Sequence, residues 1–460
     1  MALIKSISGI RGTIGGKPGE SLSPVDIVKF TAAFGTWLQR RHNKRSLNII
    51  VGRDARKSGM MVNSLVITTM QSLGINVTDL GLATTPTVEL AVTGTNSNGG
   101  VIITASHNPS EWNALKLLNE EGEFLSNQDG FDVLALAKTE DFQFVSSDLS
   151  GIIKYDDTWG EKHIDKVLAL ELVDQKAIKS AGFSIAIDCI NSVGGQVLPL
   201  LLRALGVNNI IELNTNPDGN FAHNPEPLPE NLKSIAELVV LKSADLGFVV
   251  DPDVDRLSIV CENGEFFGEE YTLVAISDYI LKHTPGSTVS NLSSTRALRD
   301  ITEVHGCKYY SSSVGEVNVV SEMKKRGAII GGEGNGGVIY PVLHYGRDAL
   351  AGIALFLSHL AKSNMKCSAL RKLYPDYIMA KKKITLDPAI EFNLIVEAVK
   401  AKFHGYITDE RDGLWIDVTT GWVQIRKSNT EPVIRIYSEG RTRHEAEEIA
   451  SKVIGIVKNL

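Results

Sequence analysis

The run Thr104-Ala105-Ser106-His107-Asn108-Pro109 sets a serine hydroxyl beside a histidine directly after the apolar Val101-Ile102-Ile103. A strand that ends at such a loop presents Ser106 as a nucleophile, although Ser, Asn and Pro are equally the residues of an ordinary turn. A second group is Asp251, Asp253 and Asp255 in DPDVDR, behind the apolar Leu246 to Val250. On an extended chain alternate side chains share a face about 7 Å apart, so this spacing predicts three carboxylates converging beyond a strand end. Like charges that close call for a cation, and an all-oxygen set suits Mg²⁺. An EF-hand calcium loop would use Glu262 at its twelfth position. It fails because Arg256 stands where that loop needs glycine and because Leu257 to Val260 reads as a strand.

The third group is Gly331-Gly332-Glu333-Gly334-Asn335-Gly336-Gly337, after the apolar Ala328-Ile329-Ile330. Gly332, Gly334 and Gly337 match a GxGxxG string, but a dinucleotide fingerprint must open a helix, and Val338-Ile339-Tyr340-Pro341 reads as a strand. The glycines then let backbone approach a ligand closely, with Glu333 and Asn335 suited to vicinal sugar hydroxyls. A plain glycine turn fits the same string. The fourth group is Arg426-Lys427-Ser428-Asn429-Thr430-Glu431-Pro432 with Arg435 beyond it. Two guanidinium groups, hydroxyls and successive backbone N–H groups make a nest for a dianion; a solvated charge run is the plainer account.

The elements that must position these loops follow a recurring strand, loop and helix. Leu47 to Val51 precede GRDARKSG and a helical pattern from Met60 to Leu73; Ser184 to Ile187 precede a helix from Gln196 to Leu205; Ser287 to Leu292 precede a helix from Ala297 to Val304. Each helix closes at a glycine, which predicts three related α/β domains. A helix is expected from Trp159 to Leu172, a hairpin in LSIVCENGEFFG turned at Asn263-Gly264, and a tail domain with strands at 413–418, 422–425 and 434–437 before a helix from Arg443 to Lys458. At 460 residues the chain exceeds one core. Its formal charge of −7 argues against a general nucleic-acid or membrane surface, and its four cysteines lack metal or disulfide spacing, which fits a reducing cytosol. No stretch approaches a membrane span and no signal peptide is evident, so a cytoplasmic protein is expected.

Taken in order, the four loops resemble those of the alpha-D-phosphohexomutase superfamily over essentially the full chain. The resemblance implies an α/β fold of four domains around a central cleft: three related α/β domains with mixed sheets plus a C-terminal α+β domain. With junctions read in the polar stretch 148–157, just after Arg256 and near 370–383, these are expected at 1–152 (phosphoserine), 153–257 (metal), 258–372 (sugar) and 373–460 (phosphate). It further implies an isomerase that moves a phosphoryl group between O1 and O6 of a hexose phosphate through an enzyme phosphoserine at Ser106 and a hexose bisphosphate. Asp251, Asp253 and Asp255 would hold Mg²⁺ against Ser106, and Arg11 and Arg256 would stabilise the transferred phosphoryl. Lys116 would act as general acid and base, its pKa lowered by burial among cations, and His107 would orient or assist. Glu333 and Asn335 would grip the sugar while Arg426, Ser428, Asn429, Thr430 and Arg435 hold the non-reacting phosphate. Many bacterial members carry Ser and His where Asn335 and Gly337 stand, and Ala114 replaces a usual glycine. The Glu-Gly-Asn-Gly-Gly form resembles archaeal-type phosphoglucosamine mutases and related broad-specificity enzymes, which favours glucosamine phosphate among glucosamine, glucose, mannose and N-acetylglucosamine phosphates and leaves a phosphoglucomutase/phosphomannomutase of broad specificity as the alternative. A phosphosugar hydrolase would need no second phosphate grip, and a non-catalytic sensor would lack the serine or an aspartate.

Overall fold

The computed structural model describes residues 2–6, 9–385, 391–427 and 433–460. They fall into two compact units, one of residues up to 272 together with 335–370, the other of 273–334 and 371–460.

The first unit holds two mixed sheets. Seven strands run in the order Leu3–Ser6, Gly9–Thr13, Trp112–Leu118, Gly99–Ile103, Asn48–Arg53, Asn76–Leu82 and Ile153–Tyr155. Gly99–Ile103 is buried throughout and pairs parallel to Asn48–Arg53 and antiparallel to Trp112–Leu118. Its side chains alternate between two cores, Val101 and Ile103 in one and Ile102 in the other, as the two-residue period of a central strand requires. Truncating Ile103 to alanine would cost about 2 to 5 kcal/mol and loosen the support of the loop at its carboxyl end. Helix Pro24–His42 covers one face; Ser23 and Asp26 form its capping box, Pro24 opens it, and Asn43 closes it in the left-handed conformation.

The second sheet of this unit orders Leu257–Cys261, Leu246–Val250, Ser184–Asp188 and Asn209–Leu213. Leu246–Val250 is fully buried, parallel to Ser184–Asp188 and antiparallel to Leu257–Cys261. The expected hairpin turns at Gly264 with a positive φ of 82°, Cys261 N–H donating to the Glu265 carbonyl at 2.8 Å. Because Leu257–Cys261 shares a sheet with the strand before the acidic loop, a junction at 257/258 separates two paired strands. The helix expected from Trp159 to Leu172 stops at Leu168 and is followed by Gln175–Ala181, whose N-cap Asp174 accepts from Ala177 N–H.

In the second unit Thr288–Asn291 pairs parallel to both Tyr309–Ser312 and Ile330–Glu333. A five-stranded antiparallel sheet follows, ordered Ile378–Thr385, Val433–Gly440, Gly421–Lys427, Leu414–Val418 and Ile407–Asp409. Ile416, Val423, Ile425, Ile434 and Ile436 pack beneath helix Arg443–Lys458 through Ile449 and Val453. The strand Ile378–Thr385 and the helix Phe392–Lys402 add to what the sequence reading anticipated.

Candidate active site

Ser106 follows the buried strand Gly99–Ile103 and sits in the left-handed region at φ 47°, which a residue with a Cβ enters at a cost. The loop is held in that shape by Arg56. Its buried guanidinium donates to the carbonyls of Ser106 at 2.5 Å, Asn108 at 2.6 Å, Pro109 at 2.6 Å and Trp112 at 3.0 Å, and is paired with Asp54 at 3.0 Å. Thr104 accepts from Ser106 N–H at 2.9 Å and donates to Asp54 at 2.7 Å. A planar fork satisfying four carbonyls orders the loop before any substrate arrives.

The Ser106 hydroxyl donates to Asp251 Oδ2 at 2.8 Å and lies 3.4 Å from His107 Nδ1. Asp251, Asp253 and Asp255 are fully buried and offer ligand oxygens within 4.8 Å of one another. Their convergence is achieved differently from the sequence expectation. The segment is a turn and not an extended chain: Val254 adopts a left-handed φ of 62° and donates its N–H to the Asp251 carbonyl at 3.1 Å, while Asp251 Oδ1 accepts from Asp255 and Arg256 N–H groups at 3.2 Å. Thr85, opening helix Thr85–Gly94, clasps Asp253 twice, N–H to carbonyl at 2.9 Å and hydroxyl to Oδ2 at 2.6 Å.

Burial and the charges of Asp255 and Asp253 push the Asp251 carboxyl well above its ordinary pKa. Asp253 Oδ1 and Asp255 Oδ1 are buried without a hydrogen-bond partner. Two orphaned carboxylate oxygens beside a third, strained toward protonation, fit a small divalent cation bound through oxygen.

Cations surround this acidic turn. Lys116 Nζ, from strand Trp112–Leu118, lies 2.6 Å from Asp253 Oδ2 and 3.4 Å from Asp255 Oδ2. This corrects the expected direction of its titration: burial works against the ammonium charge, but Asp253 and Asp255 outweigh it and hold the Lys116 pKa above its ordinary value. Arg256 Nε is 3.8 Å from Asp255 and 4.0 Å from Asp251, and Arg11, on strand Gly9–Thr13, is depressed by burial and by the Arg256 charge. His107 is driven well below its ordinary pKa by Arg256, by burial and by Arg11 and Arg347, so its ring is neutral. Gly9, Arg11, Ser106, His107, Lys116, Arg256 and Arg347 line one cavity of about 80 Å³. Arg56, Thr85 and Arg347 were not singled out from sequence. The signal available for Arg56 was GRDARKSG itself, a charged loop at a strand's carboxyl end, where α/β sheets place ligands.

In the second unit Glu333 is buried at the end of Ile330–Glu333, its Oε1 accepting from Asn291 Nδ2 at 2.8 Å and Gly315 N–H at 3.2 Å. In the first unit Asn335 Oδ1 accepts from Gly337 N–H at 3.2 Å, and strand Gly337–Ile339 replaces any nucleotide-type helix. Gly336, at φ 85°, must be glycine, since a Cβ would stand 2.4 Å from the Leu257 carbonyl oxygen. Arg426 and Arg435 face each other across the antiparallel pair Gly421–Lys427 and Val433–Gly440. Ser428, Asn429 and Thr430 lie outside the described residues.

Comparison with known proteins finds four family domains in the chain. The chain matches the phosphoglucomutase/phosphomannomutase models for alpha/beta/alpha domain I over 3–144, domain II over 161–264, domain III over 268–377 and the C-terminal domain over 390–456. A phosphoglucomutase/phosphomannomutase of Thermococcus kodakarensis is 36% identical over 441 residues, 95% of this chain and 96% of that protein. A probable phosphoglucosamine mutase of Methanopyrus kandleri is 30% identical over 455 residues, 98% and 97% of the two chains. A solved phosphoglucomutase/phosphomannomutase family protein from Burkholderia thailandensis shares the fold at a TM-score of 0.84 and 24% identity, over 99% of this chain and 97% of that one. The chain therefore belongs to the phosphoglucomutase/phosphomannomutase family of the alpha-D-phosphohexomutase superfamily. Enzymes so named are isomerases of the intramolecular phosphotransferase class, and that is the class of this chain. Among the described residues no helix is long and apolar enough to cross a membrane.

Proposed function

We propose that the protein interconverts hexose 6-phosphate and hexose 1-phosphate through a phosphoserine at Ser106 and a bisphosphorylated sugar, with glucosamine 6-phosphate and glucosamine 1-phosphate as the physiological pair. The carrying observation is the Ser106 hydroxyl, 2.8 Å from a buried acidic triad and sharing a small cavity with Arg11, Lys116, Arg256 and Arg347. Such a pocket suits a serine that carries a phosphoryl dianion.

In the first half-reaction the sugar's free hydroxyl oxygen forms a bond to phosphorus as the bond from Ser106 Oγ breaks; Lys116 protonates Oγ and recovers its proton from the attacking hydroxyl, giving the bisphosphate and the free serine. After the sugar turns over, Ser106 Oγ takes the other phosphoryl group, and the product carries its phosphate at the other end. Arg11 and Arg256, which line the cavity with Ser106, stabilise charge on the transferring oxygens. Lys116, held as an ammonium, gives a proton toward the oxygen that leaves phosphorus, and the neutral His107 ring, 3.4 Å from Oγ, assists beside it. Asp251, Asp253 and Asp255 would hold Mg²⁺, which when bound neutralises and polarises phosphoryl oxygens. Glu333 and Asn335 recognise sugar hydroxyls, and Arg426 and Arg435 with Ser428, Asn429 and Thr430 hold the non-reacting phosphate. The protein works on hexose phosphates and their bisphosphates in the cytoplasm.

The 36% identity to a phosphoglucomutase/phosphomannomutase favours a second reading, a broad-specificity enzyme acting on glucose and mannose phosphates. Assaying glucosamine, N-acetylglucosamine, glucose and mannose 6-phosphates in parallel separates the two. A kcat/KM for glucosamine 6-phosphate at least tenfold above the others upholds the first reading, and comparable values uphold the second. Release of inorganic phosphate in place of isomerisation would reject both.

A further inference from the structure

We infer that Gly337 and Arg347 work as a matched pair, the absent side chain at 337 leaving the slot through which the Arg347 guanidinium reaches the phosphoryl group carried on Ser106. This rests on the phosphoserine reading above and adds a catalytic cation that none of the four loops contains.

The slot is a matter of space. A Cβ on Gly337 would stand 2.3 Å from Arg347 Cδ and 3.0 Å from its Cγ, so any side chain there takes the path the arginine occupies. The backbone makes no such demand, because Gly337 lies in a strand and outside the left-handed region. Through this slot Arg347 donates to Asp255 Oδ2 at 2.7 Å and lines the cavity that contains Ser106.

Arg347 is the cation nearest Asp255, and it does not stand there alone. Lys116 already stands 3.4 Å from that carboxylate and Arg256 3.8 Å. Four cations, Arg11, Lys116, Arg256 and Arg347, line the cavity beside the three carboxylates of the acidic turn, a surplus that suits a phosphoserine, which carries about two negative charges at neutral pH, and a substrate phosphate, which brings more. The planar fork suits phosphoryl oxygens.

The arginine is also fixed from behind. Asp348 donates its N–H to the Val338 carbonyl at 2.9 Å and caps helix Ala349–Ser363, accepting from Leu350 N–H at 2.8 Å and Ala351 N–H at 3.1 Å. Its Oδ2 meets His163 at 2.8 Å and His344 at 3.1 Å, and His344 Nδ1 lies 3.2 Å from Glu89. Burial disfavours a charged His344, but Asp348 and Glu89 raise its pKa to about 10, so this buried bridge is ionic. Gly346 must stay small, since a Cβ would come 1.9 Å from Glu89 Oε2. With the chain fixed on both sides, Arg347 meets the phosphoryl group with little conformational entropy left to lose.

The test compares Arg347→Gln, Gly337→Ala and the double variant, each checked for native circular dichroism. Removing a positioned donor to a transferring group lowers kcat by about 100- to 1,000-fold, and Arg347→Gln is expected to do so with KM changed less than about threefold. Gly337→Ala keeps every charge and should lower kcat in the same sense, and the double variant should be no slower than Arg347→Gln within about threefold, because coupled residues are not additive. In Arg347→Ala, millimolar guanidinium chloride should restore part of kcat, and the ³¹P resonance of the phosphoserine should move even in metal-free protein. A kcat near the parent's, full recovery in excess Mg²⁺, or strictly additive losses would overturn the pairing alone. A parent with neither turnover nor phosphate on Ser106 would overturn the pairing together with the reading it rests on.

Discussion

Ser106 and Asp251, 145 residues apart in sequence, are joined by a 2.8 Å hydrogen bond, and each belongs to a loop containing a non-glycine residue of positive φ, Ser106 itself at 47° and Val254 at 62°. Backbone strain of this kind costs about 1 to 3 kcal/mol per residue and persists where surrounding contacts over-determine it. Arg56 does so for the serine loop; Thr85, with the Ala349 N–H donating to the Val254 carbonyl at 3.2 Å, does so for the acidic turn. The two loops are thus set to meet before substrate binds.

The purified protein is therefore expected to carry phosphate on Ser106, and Ser106→Ala to lose nearly all mutase turnover while staying folded. Intact-mass analysis with peptide mapping checks the first point and steady-state assay the second. Phosphate found only elsewhere, or an alanine variant of near-parental rate, would remove Ser106 from the mechanism.

The acidic turn gives a second expectation. Two of its carboxylate oxygens are buried without partners, so divalent ions should be needed for turnover: chelation abolishes it and Mg²⁺ restores it. Asp253→Asn removes one charged oxygen ligand and should raise the Mg²⁺ concentration for half-maximal activity by at least about tenfold. Full activity after exhaustive chelation would exclude a metal role for Asp251, Asp253 and Asp255.

The sequence carried the elements better than the geometry. Helix Ala297–Val304 forms where its apolar period and closing glycine place it, and the strand after Gly337 rules out a nucleotide loop as expected. The acidic residues do converge, but through a left-handed valine, and sequence rules assign that conformation to Gly and Asn because β-branched residues pay most for it. Lys116 titrates opposite to expectation because which charges surround a buried group is a tertiary fact: the cations were legible, while the two carboxylates at 2.6 and 3.4 Å were not assigned to it. Arg347 escaped notice because it precedes an Asp N-cap and reads as an ordinary helix start. The strand Ile378–Thr385 was obscured by Lys381, Lys382 and Lys383, charges that an exposed edge strand tolerates.

A pH dependence follows from Glu439, fully buried in the second unit. Burial raises its pKa from 4.5 to about 7, although Arg296 N–H donates to it at 3.0 Å. The folded state then binds a proton more tightly than the unfolded chain, so stability falls as pH rises from about 4.5 to 7 and the penalty is complete above that window. At 1.36 kcal/mol per pK unit the difference between pH 5 and pH 8 is about 2 to 3 kcal/mol. Glu439→Gln should flatten that slope and be the more stable form at pH 8, as read by urea unfolding at both pH values. Equal slopes for the two proteins would refute it.

Arg426 and Arg435 stand directly opposite each other on neighbouring antiparallel strands, and Lys383 stands opposite Arg435 on the other side. Like charges so placed are destabilising, and Asp412, 3.9 Å from Arg426, is a distant counter-charge. Arg426 Nε is buried with no partner among the described residues. On the proposed reading such a row is tolerated for an anion, the non-reacting phosphate of the substrate. A charge-assisted bidentate contact contributes about 1.5 to 3 kcal/mol, so Arg426→Ala should raise KM about ten- to a hundredfold while leaving the phosphoserine intact and the free protein no less stable. The same residues must hold the bisphosphate while it turns over, so this variant should also release more of that intermediate during turnover, and added hexose 1,6-bisphosphate should partly restore its rate. An unchanged KM with no increase in released bisphosphate would show that the cross-strand arginines serve another anion.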